Sequence, residues 1–338
     1  MINVAVLGAS GYTALEVIKI LLKHPQAKIA ACISRQEGTP FIASLHPSLV
    51  KRLEIQCEEL DLKSLKQKQV QCVFSCLPHG ASMDVIPKLL DAGIRVIDLS
   101  ADYRLKDLEI YKKWYGADHR DQEGLSHAVY GLPEFNADQI KGCRLLANPG
   151  CFPQTAILAL APLLHEKLIS SDEIIVDSKS GVSGAGRNPK QHTHFPECNE
   201  SVSAYQVGKH RHAPEMEQAL SKIAGDKVKI MFVPHLIPMD RGIFSTIYMK
   251  SKRKTTSSEL YDLVSMFYKN KPFIRVVNHL PASKDAFGTN YVDLNYQACE
   301  DYIVALASED NLIRGASGVA VQNFNLMFGF SETTALIP

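Results

Sequence analysis

The chain lacks several features that would assign it to a class at once. Its 37 Lys and Arg nearly balance its 36 Asp and Glu, so no excess charge points to nucleic acid or to a membrane surface. No apolar run is long enough to cross a membrane, and we find no secretory leader, low-complexity segment or internal repeat. We therefore expect a soluble, cytoplasmic protein that acts on a small molecule.

The cysteines form neither a disulfide pattern nor a metal pattern. They stand at positions 32, 57, 72, 76, 143, 151, 198 and 299. There is no Cys-x-x-Cys pair, and several lie inside apolar runs, which is typical of reduced cysteines in a cytosolic protein. The pair His210 and His212 suggests zinc, but no third and fourth ligand follows at a suitable spacing. We therefore expect no metal.

Length and pattern predict two domains. The chain has 338 residues, 46% of them hydrophobic, enough for two cores. In the first part, apolar runs at 2–7, 28–33, 70–77, 95–99 and 144–147 alternate with helical spacing, for example at 82–92. This alternation predicts a mostly parallel sheet covered by helices on both faces.

A glycine turn follows the first strand. It reads Gly8-Ala9-Ser10-Gly11-Tyr12-Thr13 and leads into a helical pattern that ends near Lys23. Strand, glycine turn and helix together predict a dinucleotide-binding unit with the pyrophosphate at the helix N-terminus. The turn departs from Gly-x-Gly-x-x-Gly at its middle glycine, so an ordinary strand-to-helix turn is the alternative.

The second strand ends in Ser34-Arg35, where an NAD-selective site usually carries an acidic residue. An arginine attracts a 2′-phosphate, whereas a carboxylate repels it. We interpret Ser34 and Arg35 as a preference for NADP(H). The alternative is a solvated charge at a strand end.

Two further loops begin where predicted strands end, at the edge where such sheets bind ligands. Pro78-His79-Gly80 follows the third strand and is interpreted as a cofactor-side loop or a plain turn. Arg104 lies after the next strand, where it either contacts a substrate anion or pairs with Asp102.

Cys151 is the candidate nucleophile. It follows Asn148-Pro149-Gly150 and precedes an apolar helical run at 155–164. At a helix N-terminus, unpaired N–H groups and the positive end of the helix dipole favour a thiolate. The alternative is a small buried residue at a helix start. A histidine beside the thiol would keep it ionised and later move a proton.

After Cys151 the pattern changes to strands with few helices between them. Strands are predicted at 173–176, 227–232, 243–249, 273–277, 291–297 and 302–307. Several of them alternate apolar and polar residues, which predicts an antiparallel sheet with one face buried. Helices are predicted at 214–224 and 257–268. A closing helix at 311–330 is expected to return to the first domain.

The expected fold class is therefore α/β. We expect a Rossmann-type domain formed by 1–149 with 311–338, and an α+β domain at 150–310 with a mostly antiparallel sheet. Between 178 and 187 a glycine and serine loop ends in Arg187. Such a loop suits an oxyanion or phosphate, or is simply a flexible surface loop.

Taken together, the motifs identify a resemblance that covers essentially the whole chain. They are Gly8-Ala9-Ser10-Gly11-Tyr12, Leu77-Pro78-His79-Gly80, Ala101-Asp102-Tyr103-Arg104-Leu105, Tyr130-Gly131-Leu132-Pro133-Glu134, Asn148-Pro149-Gly150-Cys151, Ser183-Gly184-Ala185-Gly186-Arg187, His210-Arg211-His212 and Asp310-Asn311-Leu312 with Gln322 and Asn325. In this order they resemble the N-acetyl-gamma-glutamyl-phosphate reductase family, the arginine-biosynthesis branch of the semialdehyde dehydrogenase superfamily, whose mechanism is related to that of glyceraldehyde-3-phosphate dehydrogenase. Phe152 and Ala213 depart from the family's more usual Tyr and Thr.

The resemblance implies a mechanism. Cys151 would attack the acyl phosphate and form a thioester, and NADPH would reduce it to the semialdehyde. His210 would polarise Cys151 and protonate the oxyanion, with His212 as the second choice. The resemblance also places Ser183, Gly184 and Asn325 near the cofactor, with Asn325 at the nicotinamide amide.

Substrate contacts are assigned with less support from the resemblance. Asn148 is expected beside the substrate. Arg104, Arg187 and Arg211 are candidates for the substrate anions by charge alone.

Three alternatives stay open from the sequence. The substrate could be aspartyl phosphate or a carrier-bound aminoadipyl phosphate, with the same thiol chemistry. The chain could instead sense NADP(H) without turnover, although Cys151 and His210 argue against this. We expect a homodimer or homotetramer assembled through the sheet of the second domain.

Overall fold

The computed structural model describes residues 1–337. The chain forms two compact units, one of residues 1–149 with 316–338 and the other of residues 150–315. The sequence predicted the second division after residue 310, five residues earlier. The difference has a local cause, because Asp310 Oδ1 accepts the N–H groups of Leu312 and Ile313, and its carbonyl accepts that of Gly315. These bonds hold residues 311–315 in the second unit.

The first unit alternates strands and helices. In chain order its elements are β1 (Ile2–Leu7), α1 (Tyr12–Leu21), β2 (Ala27–Ile33), α2 (Ile42–Leu45), a 3-10 turn (Pro47–Leu49), α3 (Leu62–Gln67), β3 (Cys72–Ser75), α4 (Ser82–Asp91), β4 (Arg95–Asp98), α5 (Leu108–Tyr115), α6 (Gln122–His127), β5 (Val129–Tyr130), α7 (Pro133–Gly142) and β6 (Leu145–Ala147). The strands form one parallel sheet in the order β2-β1-β3-β4-β6-β5. The predicted parallel sheet is confirmed, whereas α2, α3, α5, α6, α7 and β5 were not predicted.

The strand order determines where this sheet can bind a ligand. The chain runs from β1 outward to β2 and then returns to the other side of β1 to form β3. In open parallel sheets this reversal opens a crevice at the carboxyl ends of the strands. The carboxyl ends of β1 and β3 are Leu7 and Ser75, which pair with each other. The glycine turn therefore lies at this crevice.

The second unit contains a mixed sheet. Its elements are α8 (Cys151–His165), β7 (Ile169–Ser180), 3-10 turns (Val182–Ala185 and Gln191–Thr193), α9 (Phe195–Cys198), β8 (Ser203–Ala204), α10 (His212–Ala224), β9 (Ile230–Leu236), β10 (Ile243–Ser251), α11 (Ser257–Phe267), β11 (Ile274–Val276), β12 (Val292–Cys299) and β13 (Tyr302–Glu309). The strand order is β11-β12-β13-β10-β7-β9-β8. Most neighbours are antiparallel as predicted, but β7 pairs with β9, and β11 with β12, in parallel.

Helix α8 covers one face of this sheet. The polar side chains between them are paired, which removes the cost of burying them. The hydroxyl of Ser245 lies 2.8 Å from that of Thr155 and 2.7 Å from that of Ser178. Tyr268 and Tyr296 donate to the carbonyls of Leu158 and Ala159. Ser178 thus belongs to β7 and not to the predicted loop, which begins only after Ser180.

The chain closes with two helical segments instead of the single helix predicted at 311–330. A π-helix (Ile313–Ser317) is followed by α12 (Gly318–Met327). Helix α12 lies in the first unit, as expected, and packs on α1 and α7. Its residues Gly318 to Asn325 are all buried, so the last segment of the chain completes the core of the first unit.

Candidate active site

The glycine turn brings backbone N–H groups together at the end of β1. Gly8 has φ of +77°, and a Cβ there would lie 2.6 Å from the carbonyl oxygen of Cys76, so only glycine fits. The N–H groups of Gly8 and Ala9 both donate to the carbonyl of Ile33. Gly11 is the N-cap of α1, where Tyr12 and Thr13 begin the helix and leave the first N–H groups open to an anion.

A buried histidine that was not predicted supports the turn. The ring of His46, which is 4% exposed, has Nε2 at 2.8 Å from the carbonyl oxygen of Ala9. Because a carbonyl only accepts, Nε2 carries the proton. A lone histidine between short helices gives no sequence signal for this role.

A cavity of about 620 Å³ opens beside the turn. Its walls include predicted cofactor residues from three strand ends, namely Gly8, Ser10, Ser34, Arg35 and Pro78. Arg35 is exposed, whereas Ser34 is buried and its Oγ accepts the N–H of Gln36. The space, the open helix N-terminus and the guanidinium fit a phosphorylated dinucleotide. Ser10, Tyr12 and Thr13 stay predictions as individual contacts.

Two buried carboxylates join the loops that follow β3 and β4. Both oxygens of Asp102 accept the N–H of Gly80, at 2.8 and 2.9 Å. Asp98 accepts the hydroxyls of Ser82 and Ser100, at 2.8 and 2.5 Å. Burial raises the pKa of Asp98 to about 6, although the hydrogen bonds from Ser82 and Ser100 act to lower it. The loop that contains Pro78 is thereby fixed, a role that the sequence did not reveal.

Asn325 has structural contacts inside the first unit. Its side chain is fully buried in the first unit, with Oδ1 2.8 Å from Nε2 of His24. Its Nδ2 donates to the carbonyls of Glu332 and Thr334. One end of the carboxamide therefore binds His24 and the other holds the C-terminal segment, and the expectation that Asn325 meets a nicotinamide stays a prediction.

Asn148 and Arg104 also have structural contacts. Asn148 is 1% exposed, donates from Nδ2 to the carbonyl of Ala316 and accepts at Oδ1 from Asn323. Asn148 is thus a buried support in this structure, and its expected contact with the substrate stays a prediction. Arg104 is buried and donates to the carbonyls of Leu99 and Asn148. A contact between Arg104 and a substrate anion stays a prediction.

Cys151 is the first residue of α8 in the second unit, and its side chain is half-buried. The prediction that Cys151 lies at a helix N-terminus is confirmed, and the helix begins four residues before the apolar run at 155–164. Its N-cap is Gly150, and its third residue is Pro153, which has no N–H to donate. N–H groups in the first turn of a helix point away from its body, so an oxyanion on the carbon attacked by Cys151 would be stabilised at this helix start.

His210 lies next to this helix start. Its ring packs edge-on against Phe152, with the ring centres 5.7 Å apart, and 4.7 Å from the ring of His212. Tyr205 and Phe232 close the cluster at 5.6 and 5.2 Å from His210. Phe152, the residue after Cys151, packs against both histidine rings, with ring centres 5.7 and 5.9 Å apart. The predicted imidazole therefore lies in the same cluster as the start of α8.

The tautomer of His210 follows from its hydrogen bond. Its Nδ1 accepts the N–H of His212 at 3.1 Å, so the neutral ring carries its proton on Nε2. Burial, and then the charge of Arg211, lower the pKa of His210 to about 4. The ring is therefore neutral near pH 7 and can donate Nε2–H to a nearby oxyanion or thiolate.

Tyr205 joins the site without having been predicted. Burial, and to a smaller extent the charge of Cys151, raise the pKa of Tyr205. Its hydroxyl thus stays protonated near pH 7 and is a donor close to the nucleophile. The sequence offers one signal in retrospect, since Tyr205 lies only five residues before His210.

The remaining predicted residues lie just after β7 or at the start of α10. The hydroxyl of Ser183 donates to the carbonyl of Asp240 and accepts from Asn311, so it has a structural role, and its cofactor contact is untested. Gly184 and Arg187 are exposed, and Arg211 is half-buried. Their expected roles, like that of His212, stay predictions.

Two negative observations apply to the described residues. Within residues 1–337, no group of three or more His, Cys, Asp or Glu side chains could hold a metal ion. Over the same residues, no helix has the length and apolar character needed to span a membrane.

Comparison with known sequence families matches the two parts of the chain to two domain models of one family. Residues 3–143 match the semialdehyde dehydrogenase NAD binding domain, and residues 151–311 match the semialdehyde dehydrogenase dimerisation domain. The chain belongs to the semialdehyde dehydrogenase family. The expected fold class is thereby confirmed for both units.

Curated relatives in this family match the chain over nearly its whole length. An N-acetyl-gamma-glutamyl-phosphate reductase of Rhodopirellula baltica is 48% identical and covers 99% of this chain and 98% of its own length. Proteins of the same name from Desulforudis audaxviator and Methanosphaera stadtmanae are each 44% identical, covering 100% and 99% of this chain and 98% and 97% of their own.

Solved structures of semialdehyde dehydrogenases share the fold. Aspartate semialdehyde dehydrogenase II of Vibrio cholerae superposes with a TM-score of 0.72 at 16% identity, covering 97% of this chain and 98% of its own. The Candida albicans enzyme, solved with NADP, gives 0.70 at 16% identity with the same coverage. At this identity the likeness concerns the fold alone.

Proposed function

We propose that the chain catalyses the NADPH-dependent reduction of N-acetyl-L-glutamyl 5-phosphate to N-acetyl-L-glutamate 5-semialdehyde and phosphate, in arginine biosynthesis. The observation that carries the proposal is the half-buried thiol of Cys151 at the start of α8, where the next residue, Phe152, packs against the neutral imidazole of His210. The relatives that match the full length at 44–48% identity bear this activity in their names.

In the proposed reaction, the sulfur of Cys151 attacks the acyl carbon of the substrate and phosphate leaves, which produces a thioester. The N–H groups at the start of α8 stabilise the negative charge that forms on the acyl oxygen. Bound NADPH supplies the hydride that takes the acyl carbon to the aldehyde level. The Nε2–H of His210 donates a hydrogen bond to the oxyanion that hydride addition leaves on the acyl oxygen, and the C–S bond breaks when this oxyanion reforms the carbonyl and releases the thiolate. The aldehyde leaves and Cys151 is regenerated.

The cofactor is held by the first unit in this proposal. The N-terminus of α1 binds the pyrophosphate, and Arg35 pairs with the 2′-phosphate. A cavity of about 620 Å³ lined by Gly8, Ser10, Ser34 and Arg35 supports this assignment. The cysteines of residues 1–337 are all free thiols, which supports a reducing compartment, the cytoplasm.

The test uses the reverse reaction. Purified protein, N-acetylglutamate semialdehyde, NADP⁺ and phosphate are combined, and formation of NADPH is followed by absorbance. We expect turnover that needs phosphate and that is much slower with aspartate semialdehyde or with NAD⁺. No NADPH formation, or equal rates with aspartate semialdehyde, would show the proposed substrate to be wrong.

The outward face of the second sheet supports a homodimer. Met231, Ile175, Tyr248 and Val304 are register neighbours across β9, β7, β10 and β13. Met231 is 60% and Ile175 41% exposed, and this row is apolar although no helix covers it. We place a second copy of the chain on this face.

Light scattering tests the dimer. Changing both Met231 and Ile175 to Lys should halve the molar mass of the protein in solution. A control that changes Met266, which is 69% exposed on α11, should leave it unchanged. An unaltered mass in the double variant would exclude this face as the interface.

A further inference from the structure

The peptide group in front of the nucleophile is held from another helix. The N–H of Gly150 donates to Oε1 of Glu215 at 2.7 Å, and the Glu215 side chain is 1% exposed. A hydrogen bond of this length to a buried carboxylate belongs to the strong, charge-assisted class. It fixes the peptide plane that ends at Gly150, the residue immediately before Cys151, which is the first residue of α8.

This contact replaces a local helix cap. In a capping box, the third residue of a helix carries a Glu or Gln that accepts the N–H of the N-cap residue. In α8 that third residue is Pro153, which has no acceptor, and the N-cap Gly150 has no side chain. Glu215 supplies the missing acceptor from the first turn of α10.

The same turn also positions the imidazole. His210 lies two residues before the start of α10, and its carbonyl accepts the N–H of Ala213. Its ring is held by the N–H of His212 at Nδ1. The first turn of α10 thus holds the imidazole through its backbone and the residue before the thiol through Glu215. The hydrogen bond between Glu215 and Gly150 therefore couples the position of Cys151 to that of His210.

We propose that Glu215 is a positioning residue that holds Cys151 against His210, and the role rests on the function proposed above for these two residues. An acceptor oxygen at the right distance is what this role requires. Glutamine keeps that oxygen, aspartate draws it back by one methylene, and alanine removes it. A misplacement of about 1 Å at a reacting group costs about 100-fold in rate.

The chain offers a matched control. Glu217 lies on the same helix, and its Oε1 accepts a backbone N–H, that of Ile230, at 3.1 Å. Glu217→Ala therefore removes the same kind of bond two residues away without touching the start of α8. Both variants are expected to lose some thermal stability, so a loss of stability alone cannot distinguish them.

The experiment compares Glu215→Ala, Glu215→Asp, Glu215→Gln and Glu217→Ala. We measure kcat, KM for NADP⁺, and the rate at which iodoacetamide alkylates Cys151 at neutral pH. Alkylation is followed by peptide mass spectrometry, which separates Cys151 from the accessible Cys198 and Cys299. In Glu215→Ala and Glu215→Asp, kcat should fall about 10- to 100-fold and alkylation should slow severalfold, while KM for NADP⁺ stays within twofold. Glu215→Gln should recover most of both rates, and Glu217→Ala should stay within twofold of the parent.

Three results would overturn the proposal. They are parent-like rates in Glu215→Asp, a Glu215→Gln variant as slow as Glu215→Asp, and an equal loss of kcat in Glu217→Ala. If Glu215→Ala does not fold, the Asp and Gln variants carry the comparison. If the parent protein does not turn over N-acetylglutamate semialdehyde, the proposed function fails, but the alkylation rates still decide whether Glu215 positions the thiol.

Discussion

Replacing Gly315 by Ala should displace the nucleophile. A Cβ at this position would lie 2.8 Å from Cβ and 3.3 Å from Cα of Cys151, and 2.9 Å from Oε1 of Glu309. Carbon atoms in ordinary contact are about 3.5–4.0 Å apart. The two backbone segments, at Gly315 and at Cys151, must therefore separate by roughly 1 Å. Because Cβ and Cα of Cys151 are fixed to the backbone, no side-chain rotation relieves the overlap.

The overlap is expected to lower both the stability of the protein and its kcat, but by different amounts. Overpacking a core costs about 1–3 kcal/mol, less than the total stability of a typical domain, about 5–15 kcal/mol. The variant should therefore fold, with a lowered Tm. A shift of about 1 Å at a reacting group costs about 100-fold in rate. We thus expect kcat to fall between 10- and 100-fold in a folded protein.

The assay pairs kcat from the NADPH-forming reaction with Tm from calorimetry. The control is Gly142→Ala at the end of α7, where an added Cβ meets no heavy atom within 4 Å. That variant should keep the parent kcat and Tm. A folded Gly315→Ala protein with a kcat within twofold of the parent would refute the reasoning that the position of Cys151 is set by this contact.

Three further predictions follow from the site. Cys151→Ser should lower kcat at least ~1,000-fold. The control Cys299→Ser changes an exposed cysteine and should keep the parent kcat. Turnover by Cys151→Ser at the parent rate would exclude a thioester on Cys151. Arg35→Ala should raise KM for NADPH by ~10- to 100-fold but leave KM for NADH unchanged. The control is Arg52→Ala, which changes another exposed arginine. A similar rise of KM for NADPH in the control would show that Arg35 does not determine the cofactor specificity. The pKa of His210 lies at about 4 in the folded chain, below its ordinary 6.5, so the unfolded chain binds more protons between these values and stability should fall as the pH drops through that window. In His210→Asn the decline of Tm over this window should be shallower, and an identical decline would contradict the assignment.

Local signals account for the parts that could be predicted. The glycine turn and the start of α8 could be predicted because Gly8 and Gly150 lie only a few residues before the helices that they introduce. The predicted bounds of β1 are those of the structure. Helices α5 and α6 had local signals that were overlooked, since Asp107 and Asp121 cap them with their side chains. These helices were within reach of sequence reasoning.

Long-range pairing accounts for the parts that could not be predicted. Nothing near Asn325 indicates that its partner is His24, and Asn148 likewise depends on Asn323 near the far end of the chain. The polar end of β7 resembles a loop because the partner of Ser178 is Ser245 on β10, which is far away in the sequence. Strand direction is equally non-local, since β7 and β9 pair in parallel only after the chain has passed through α10.

The buried position of α12 has a consequence for biosynthesis. The ribosome makes residues 1–149 first, but the helix that fills their core emerges only after residues 150–315. At about 5–20 residues per second, the early part waits on the order of ten seconds or more for its missing piece. During translation the nascent first unit exposes the apolar surface reserved for α12, so we expect chaperones to bind there, and chains that terminate before residue 316 to aggregate or be degraded.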